Sequence, residues 1–229
     1  MNFEIACSNC GAISSPTVGV CPFCKSVMTP AGGVKQTAST ASAPQIQSLY
    51  DEGKLDQALS LAAALEKKDS DSLKDVNFVL LYAKILIEVD GPSSKTKSIL
   101  NQALVANPSH PDLLEYLEIV EAESNLSREA NDDGEVSLAN IIRRSPKNVH
   151  ALFLLGSHLF WVEKDTQRAL RYLEAVVRFR PNFIKAKACL AAVYKELNMT
   201  DVAARLMNEC AAKTSDSNTK EFFKNFASS

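Results

Sequence analysis

From residue 45 almost to its end, the chain carries apolar residues at intervals of three or four. One such stripe is formed by Leu152, Leu155, Leu159 and Val162. A second runs through residues 170–177. This spacing places the apolar side chains on one face of an α-helix, so it predicts a series of short amphipathic helices. Single helices of this length are marginal in water, and we therefore expect them to be stable only when they stack on one another.

Turn signals separate these helical stretches. Glycine, asparagine or aspartate, which favour turns, occur at 52–54, 90–92, 132–134, 164–165 and 197–198. Pro108, Pro146 and Pro181 lie 38 and 35 residues apart. Each predicts the end of a helix, because proline cannot extend a helix and disfavours helix in the residue before it. A period near 34 residues with two helices per unit predicts stacked helical hairpins.

These units resemble the repeats of the tetratricopeptide (TPR) family. The best match spans 149–182, with Leu155-Gly156 in its first helix, Ala169 early in its second helix and Pro181 at its end. Gly156 is expected to let the two helices approach closely. The resemblance covers about residues 45–215 and implies an all-α solenoid, over 45–229, of about five helix pairs with a concave groove. A final segment carrying Phe222, Phe223 and Phe226 is expected to cap the last pair.

The resemblance also implies where a partner would bind. In the TPR family the first helix of each pair lines the groove, which here gives Glu115, Ile119, Phe153, Ser157, Phe160, Lys185, Ala192 and Lys195. Some TPR proteins hold a C-terminal carboxylate with polar groove residues. Phe153 and Phe160 replace that polar set in the best-matching unit, which favours an apolar or helical partner segment. The alternative is that both rings pack between neighbouring units.

Four of the six cysteines form the strongest chemical signal in the chain. Cys7 and Cys10 are separated by two residues, as are Cys21 and Cys24, and ten residues lie between the two pairs. Four thiolates in this arrangement suit the tetrahedral shell of a structural Zn²⁺ ion. With short strands expected at 3–6 and 17–20, residues 1–28 resemble a zinc ribbon or a rubredoxin-like knuckle pair. Iron in the same shell is the alternative, and a redox dithiol lacks its βαβ context.

Residues 29–44, TPAGGVKQTASTASAP, are expected to be a disordered linker. Small and polar residues bury too little apolar surface to offset the entropy of ordering. Sixteen flexible residues would reach about 20–25 Å on average. The predicted ribbon would therefore be tethered to the repeats.

Composition and charge narrow the function. A net charge of −2 and a pI of about 6.0 give no overall attraction to nucleic acid. We find no secretory signal, no stretch of 18 uncharged apolar residues, no phosphate-binding glycine loop and no nucleophile motif. We therefore expect a cytoplasmic protein that is not an enzyme and has no small-molecule substrate. Cys189 and Cys210 are expected to be core residues, and the three histidines to be structural or exposed.

The sequence thus favours an interaction adaptor, in which the groove holds a segment of a partner protein and the tethered ribbon adds or regulates contact. The alternative is a factor associated with nucleic acid in transcription or translation. That alternative depends on the ribbon and on a basic patch formed by Arg143, Arg144, Arg168, Arg171, Arg178, Arg180, Lys185 and Lys187. We favour the simpler explanation for these cations, a solvated outer face with Glu163 and Glu174 nearby.

Overall fold

A computed structural model describes residues 5–6, 13–14, 42–69, 71–126, 131–214 and 216–228. The chain divides into two compact units, 1–42 and 43–229. In the first unit, strand β1 (Ile5–Ala6) pairs antiparallel with β2 (Ile13–Ser14). The four cysteines of the predicted ribbon and the strand predicted at 17–20 lie outside the described residues, so both remain predictions.

The second unit contains eleven α-helices in its described part. They are α1 (Ala43–Asp51), α2 (Leu55–Lys68), α3 (Val76–Val89), α4 (Ser94–Ala106), α5 (Pro111–Leu126), α6 (Asn131–Arg144), α7 (Val149–Trp161), α8 (Thr166–Phe179), α9 (Ile184–Glu196), α10 (Thr200–Lys213) and α11 (Ser217–Ser228). A short 3₁₀ helix (Ser72–Lys74) precedes α3. The helices from α1 to α10 pack as five consecutive pairs, and α11 packs on α10. The expected all-α fold of five pairs and a C-terminal helix is confirmed.

Prolines mark three helix ends as expected, and capping residues, which the sequence analysis did not predict, mark other helix ends. Helices α4, α6 and α8 each end two residues before a proline. At the other ends, Asp75, Asn148 and Asp165 accept hydrogen bonds from backbone N–H groups in the first turns of α3, α7 and α8. One boundary differs, because Ala43 and Pro44, assigned to the linker, are the first residues of α1. Proline is tolerated in the first turn of a helix, where its missing N–H has no partner to lose.

Four of the five predicted turns are present, and each contains a residue with a left-handed backbone. These are Gly53, Gly91, Lys164 and Asn198, with φ between 58° and 85°. The turn predicted at 132–134 is wrong, because α6 already begins at Asn131. Gly134 instead serves close packing, since a Cβ there would lie 2.7 Å from the backbone oxygen of Ala122 in α5.

The core centres on α3 and α7, which are buried on nearly every side. Residues 78–83 of α3 are all buried, as are 150–152, 154–156 and 158–160 of α7. A helix that is apolar all round belongs in the interior. In a regular solenoid each repeat contacts only its neighbours, whereas here α3 also contacts α7, two pairs further on. The first helices therefore pack against one another instead of lining only an open groove.

Two packing expectations are confirmed. A Cβ on Gly156 would lie 3.0 Å from Leu173 Cγ, so the glycine is needed where α7 meets α8. Phe223 of α11 is buried against the apolar cluster of α9 and α10, whereas Phe222 is 60% exposed. None of the described helices combines the length and the apolar character needed to cross a membrane.

Candidate functional site: an inner cavity and the Glu88 cluster

The first helices of the first four pairs line a concave cavity of about 690 Å³ that opens widely to solvent, called the inner cavity below. Ligand pockets in proteins commonly have volumes of about 300–1,000 Å³. It is lined by Gln47, Tyr50 and Asp51 of α1, Leu80 and Lys84 of α3, Asp112, Glu115 and Tyr116 of α5, residues 145–148, and Val149 and His150 of α7. Four helices that are distant in sequence thus meet around one concave site.

Lys84 is the distinctive charge of the inner cavity. It is half-buried, and its ammonium nitrogen lies 5.7 Å from the centroid of the Tyr116 ring. It forms no hydrogen bond or ion pair with any described residue. Burial lowers the pKa of Lys84, although the negative charge of Asp112 opposes this shift. The cavity therefore contains a partly desolvated cation, while Asp51 and Asp112 are exposed carboxylates among its lining residues.

Glu115 fixes another part of the cavity wall. Its carboxylate accepts hydrogen bonds from Ser145 Oγ at 2.6 Å and from Asn148 Nδ2 at 2.7 Å. Asn148 Oδ1 in turn accepts from the first backbone N–H groups of α7. One carboxylate on α5 thereby holds the turn between α6 and α7, and this part of the wall is preorganised.

A buried polar network adjoins the cavity. We call it the Glu88 cluster, and it consists of Tyr50, Glu88, Tyr116, His150 and Arg180. Glu88 is 1% exposed. Its Oε1 atom accepts from the Tyr50 hydroxyl at 2.5 Å and from Arg180 Nε at 2.6 Å, and it lies 3.3 Å from His150 Nε2. The Tyr116 hydroxyl lies 3.0 Å from His150 Nδ1. The cluster joins α1, α3, α5, α7 and the C-terminal end of α8.

The directions of the pKa shifts in the cluster indicate one proton arrangement. Burial lowers the pKa of His150, although Glu88 opposes this, so the imidazole is neutral at pH 7. Burial raises the pKa of Glu88, but the hydrogen bonds from His150 and Arg180 and the positive charge of Arg180 outweigh it, and the net pKa is below its usual value. A carboxylate only accepts, so His150 Nε2–H donates to Glu88, and Nδ1 accepts from the Tyr116 hydroxyl. Burial also raises the pKa of Tyr50 and Tyr116, which remain protonated donors.

Contacts from the turn between α8 and α9 reach the first two helix pairs. Arg180 Nη2 donates to the backbone oxygen of Tyr50 at 2.9 Å, and the guanidinium carbon lies 3.5 Å from the centroid of the Tyr50 ring. Asn182 Nδ2 donates to the backbone oxygen of Asp51 at 2.8 Å. Lys185 Nζ donates to the backbone oxygen of Val89. The ends of α1 and α3 are therefore tied to a segment about 90 to 130 residues further along the chain.

The eight predicted groove residues are not gathered at one site. Glu115 lines the inner cavity, and Lys185 lines a second cavity of about 480 Å³ between the α1–α2 turn and α9. Ile119 and Phe160 are buried in the core, and Phe153 and Ala192 are partly buried against it. Ser157 Oγ donates to Leu154 O at 3.0 Å, and Lys195 Nζ lies 4.5 Å from the centroid of the Phe226 ring. As a partner-binding set these residues remain a prediction, and those in the core are inaccessible in this conformation.

The Phe153 ring makes a contact that bears on the alternative considered above. Its centroid lies 4.8 Å from that of Phe183, a fully buried residue of the turn between α8 and α9. The ring therefore packs between neighbouring units, which is the role of a core residue.

Other chemical candidates fall into structural roles. Cys189 and Cys210 are buried free thiols, and burial raises their pKa values to about 12 and about 11. Thiols with such values are inert at neutral pH. Within the described residues, no group of three or more His, Cys, Asp or Glu side chains is placed to hold a metal ion.

Three of the eight cations in the candidate basic patch form ion pairs. Arg180 pairs with Glu88, Lys187 pairs with Glu209 at 2.5 Å, and Arg168 pairs with Glu135. Arg180 and Lys187 side chains are 11% and 8% exposed. Neither is placed on the solvated face that a polyanion would contact.

Sequence reasoning did not single out Lys84 or Glu88 as site residues, and it placed Arg180 only in a candidate basic patch. The available signal was the pair Lys84 and Glu88 within the otherwise apolar stretch VNFVLLYAKILIEV. Charged residues inside a fully buried helix are rare unless they are paired. Nothing in the sequence pointed to Arg180 as the partner, because it is 92 residues away.

Similar helical arrangements occur in solved structures. MamA aligns with 17% sequence identity over 73% of this chain and 87% of its own chain, with a TM-score of 0.38. The AMB-1 form of MamA in another crystal aligns at 18% identity over 75% and 96% of the two chains, with a TM-score of 0.38. YrrB, described as a TPR protein with an unusual peptide-binding site, aligns at 17% identity over 82% and 94%, with a TM-score of 0.41. No protein-family profile and no curated relative matches the chain.

Proposed function

We propose that this protein is an interaction adaptor whose helical unit holds a short segment of a partner protein in the inner cavity. The observation that carries this proposal is the cavity itself, a concave site of about 690 Å³ built by four helices and containing the ammonium group of Lys84, which forms no ion pair with any residue that the structure describes. Inner surfaces of this kind suit peptide segments better than flat outer faces do. The proposed role involves binding and no chemical conversion.

The lining predicts the character of the bound segment. Leu80, Val149 and the tyrosine rings offer apolar contact, while Lys84 lies close to the exposed carboxylates of Asp51 and Asp112. A segment with an apolar side chain beside charged groups would satisfy both features. This refines the apolar or helical segment expected from the sequence and moves the site from the predicted groove to the inner cavity.

The N-terminal residues supply the second part of the proposal. Cys7, Cys10, Cys21 and Cys24 hold one structural Zn²⁺ ion, and the small metal-bound module adds a second contact with the partner. Two linked contacts raise the effective concentration of the second one and can increase overall binding 10²–10⁴-fold. The predicted linker precedes α1 in the sequence, and Gln47, Tyr50 and Asp51 of α1 line the inner cavity.

Partner capture with matched variants tests the cavity. Gln47 and Gln102 are both exposed helical glutamines with a side-chain hydrogen bond four residues away, to Asp51 and Ser98 respectively. Only Gln47 lines the inner cavity. We expect Gln47→Arg to lose the dominant partner captured from native lysate and Gln102→Arg to retain it. Equal capture by both variants would remove the inner cavity from the proposal.

A separate experiment tests the metal module. Elemental analysis of the purified full chain should give one zinc per chain, and Cys7→Ser combined with Cys24→Ser should abolish it. Loss of partner capture on deleting residues 1–42 would support a binding role for the module. A chain that contains iron, or no metal, would contradict the zinc assignment without affecting the inner cavity.

A further inference from the structure

We infer that Arg180 is a positioning residue for the inner cavity: it lies outside the cavity and holds α1 in place as one of its walls. This inference rests on the proposed function, because it concerns the same cavity. Arg180 is absent from the cavity lining, whereas Tyr50 and Asp51 at the end of α1 are part of it. The contact therefore acts on the shape of the site and not on its occupant.

Helix α1 has few other means of attachment. It is nine residues long, and only Ile46 and Tyr50 are buried. Helices of this length do not persist alone in water. The Tyr50 carbonyl near its end accepts from the Gly53 backbone N–H at 3.0 Å, but α1 has no basic residue in its last turn to complement the helix dipole. Arg180 supplies that cation from α8, with its guanidinium group over the Tyr50 ring and one N–H on the Tyr50 carbonyl.

Glu88 links the contact between Arg180 and Tyr50 to a buried ion pair. Arg180 Nε and the Tyr50 hydroxyl donate to a single oxygen of Glu88, so the position of the Tyr50 side chain depends on the same ion pair that holds its carbonyl. His150, which also lines the cavity, contacts that oxygen too. Moving Arg180 would therefore remove the hydrogen bond to the Tyr50 carbonyl together with the ion pair on the oxygen that Tyr50 and His150 share.

A glycine supports the inference independently. Gly53 follows α1 with φ of 79°, and a Cβ at this position would lie 3.0 Å from Asn182 Cβ. Gly91 occupies the equivalent turn after α3 with φ of 85°, and a Cβ there would meet nothing within 4 Å. The two turns share a backbone conformation, but only the turn after α1 requires the α8–α9 turn to come so close. The approach of Asn182 to α1 is thus a specific contact.

Hydrogen exchange of backbone amides tests the positioning role. In the full chain we expect Arg180→Gln to accelerate exchange in α1 about tenfold relative to α10, because charge-assisted hydrogen bonds to α1 are lost. The control is Arg178→Gln, since Arg178 is exposed, lies on the same helix and contacts the Phe179 ring. It should leave α1 unchanged.

A second variant keeps the test valid should Arg180→Gln disturb the whole fold. Gly53→Asn introduces a side chain against Asn182, and asparagine tolerates the left-handed conformation. Gly91→Asn carries the same backbone cost without the contact. Faster exchange in α1 for Gly53→Asn alone, with weaker partner capture, would support the inference.

Unchanged exchange in α1 for both Arg180→Gln and Gly53→Asn would overturn it. Faster exchange with undiminished partner capture would overturn it too, because the wall would then have no bearing on binding. Failure of the proposed function has a different signature, namely equal capture by Gln47→Arg and Gln102→Arg whatever happens to α1.

Discussion

The C-terminal end of the helical unit and the Glu88 cluster are held together in opposite ways. At the C-terminal end, α9, α10 and α11 pack in chain order, and the apolar cluster there includes Met207, Cys210 and Phe223. In the Glu88 cluster, polar groups from positions 50, 88, 116, 150 and 180 meet across four helix pairs. Apolar contacts between sequence neighbours hold the C-terminal end together, whereas hydrogen bonds between distant repeats join the first four helix pairs.

Apolar packing between neighbouring helices and polar contacts between distant helices contribute differently to a repeat fold: the first gives stability, and the second gives a defined shape. Nearest-neighbour packing adds stability one repeat at a time. Buried ion pairs add little net stability, because desolvation offsets most of the attraction, but an unpaired buried charge is costly. The Glu88 cluster therefore penalises arrangements in which Arg180 and Glu88 are apart, and it restricts the curvature of the helical unit.

The largest effect should come from removing the centre of the cluster. Glu88→Ala leaves Arg180 without its carboxylate and Tyr50 without its acceptor, so we expect a loss of about 3–5 kcal/mol in the free energy of unfolding. Urea denaturation measures this change. Glu121→Ala is the matched control, because Glu121 pairs with Lys97 at an exposed position and should cost less than about 1 kcal/mol. Similar losses in both variants would show that the buried cluster contributes no more to the free energy of unfolding than an exposed ion pair does.

The second prediction concerns the apolar end. Phe223→Ala removes the buried ring of α11, and we expect a loss of about 3 kcal/mol. Phe222→Ala, one position earlier and 60% exposed, should change stability by less than about 0.5 kcal/mol. Thermal or urea unfolding compares the two. A stability loss that is no larger for Phe223→Ala would contradict the assignment of α11 as a cap.

These two regions also differ in how far the sequence predicts them. Local periodicity predicts the helix pairs and the C-terminal cap. Residue types whose effect is local predict the three proline-closed helix ends and the close approach at Gly156. The cluster does not follow from such local signals, because its formation depends on how tightly successive pairs curve. Small differences in angle between pairs accumulate along a solenoid, and no local pattern records their sum.

The dependence on packing between distant pairs also explains why the predicted groove residues do not lie together at one site. The resemblance assigns the groove by position on the first helices, which is a local rule. That rule assigns Ile119 and Phe160 to an open surface. In the fold both are buried, because the first helices pack against one another, as the contact between α3 and α7 shows. Lys84 was visible in the sequence as a lone cation in an apolar helix, but only the fold shows that it faces a cavity.

A third prediction concerns the packing between neighbouring helices α7 and α8. Gly156→Ala forces a methyl group against Leu173 and Tyr172, and we expect a loss of about 2 kcal/mol through overpacking, despite the better helix propensity of alanine. Ser157→Ala on the same helix removes only a hydrogen bond to Leu154 O and should cost less than about 1 kcal/mol. Urea denaturation again gives both values. Neutral or increased stability of Gly156→Ala would mean that α7 and α8 can move apart freely.

The smallest expected effect is a pH dependence that only the Glu88 cluster should produce. His150 is neutral in the fold because burial lowers its pKa, while Lys84 and Arg180 also oppose its protonation and Glu88 favours it. The unfolded chain binds a proton near pH 6.5, so the folded state loses stability as pH falls through that value. The loss between pH 7 and pH 5.5 should be at most about 1.4 kcal/mol.

His150→Gln should remove this loss while Glu88, whose pKa is below its usual value, stays ionised throughout the window. Urea denaturation at several pH values measures both proteins. The Glu88 contribution, by contrast, is present above its unfolded pKa of about 4.3 and is lost only as pH falls below it. A wild-type stability that falls no faster than that of His150→Gln between pH 7 and pH 5.5 would mean that His150 is accessible to protons in the folded chain. The cluster would then be open to solvent, which would contradict its role in holding distant repeats together.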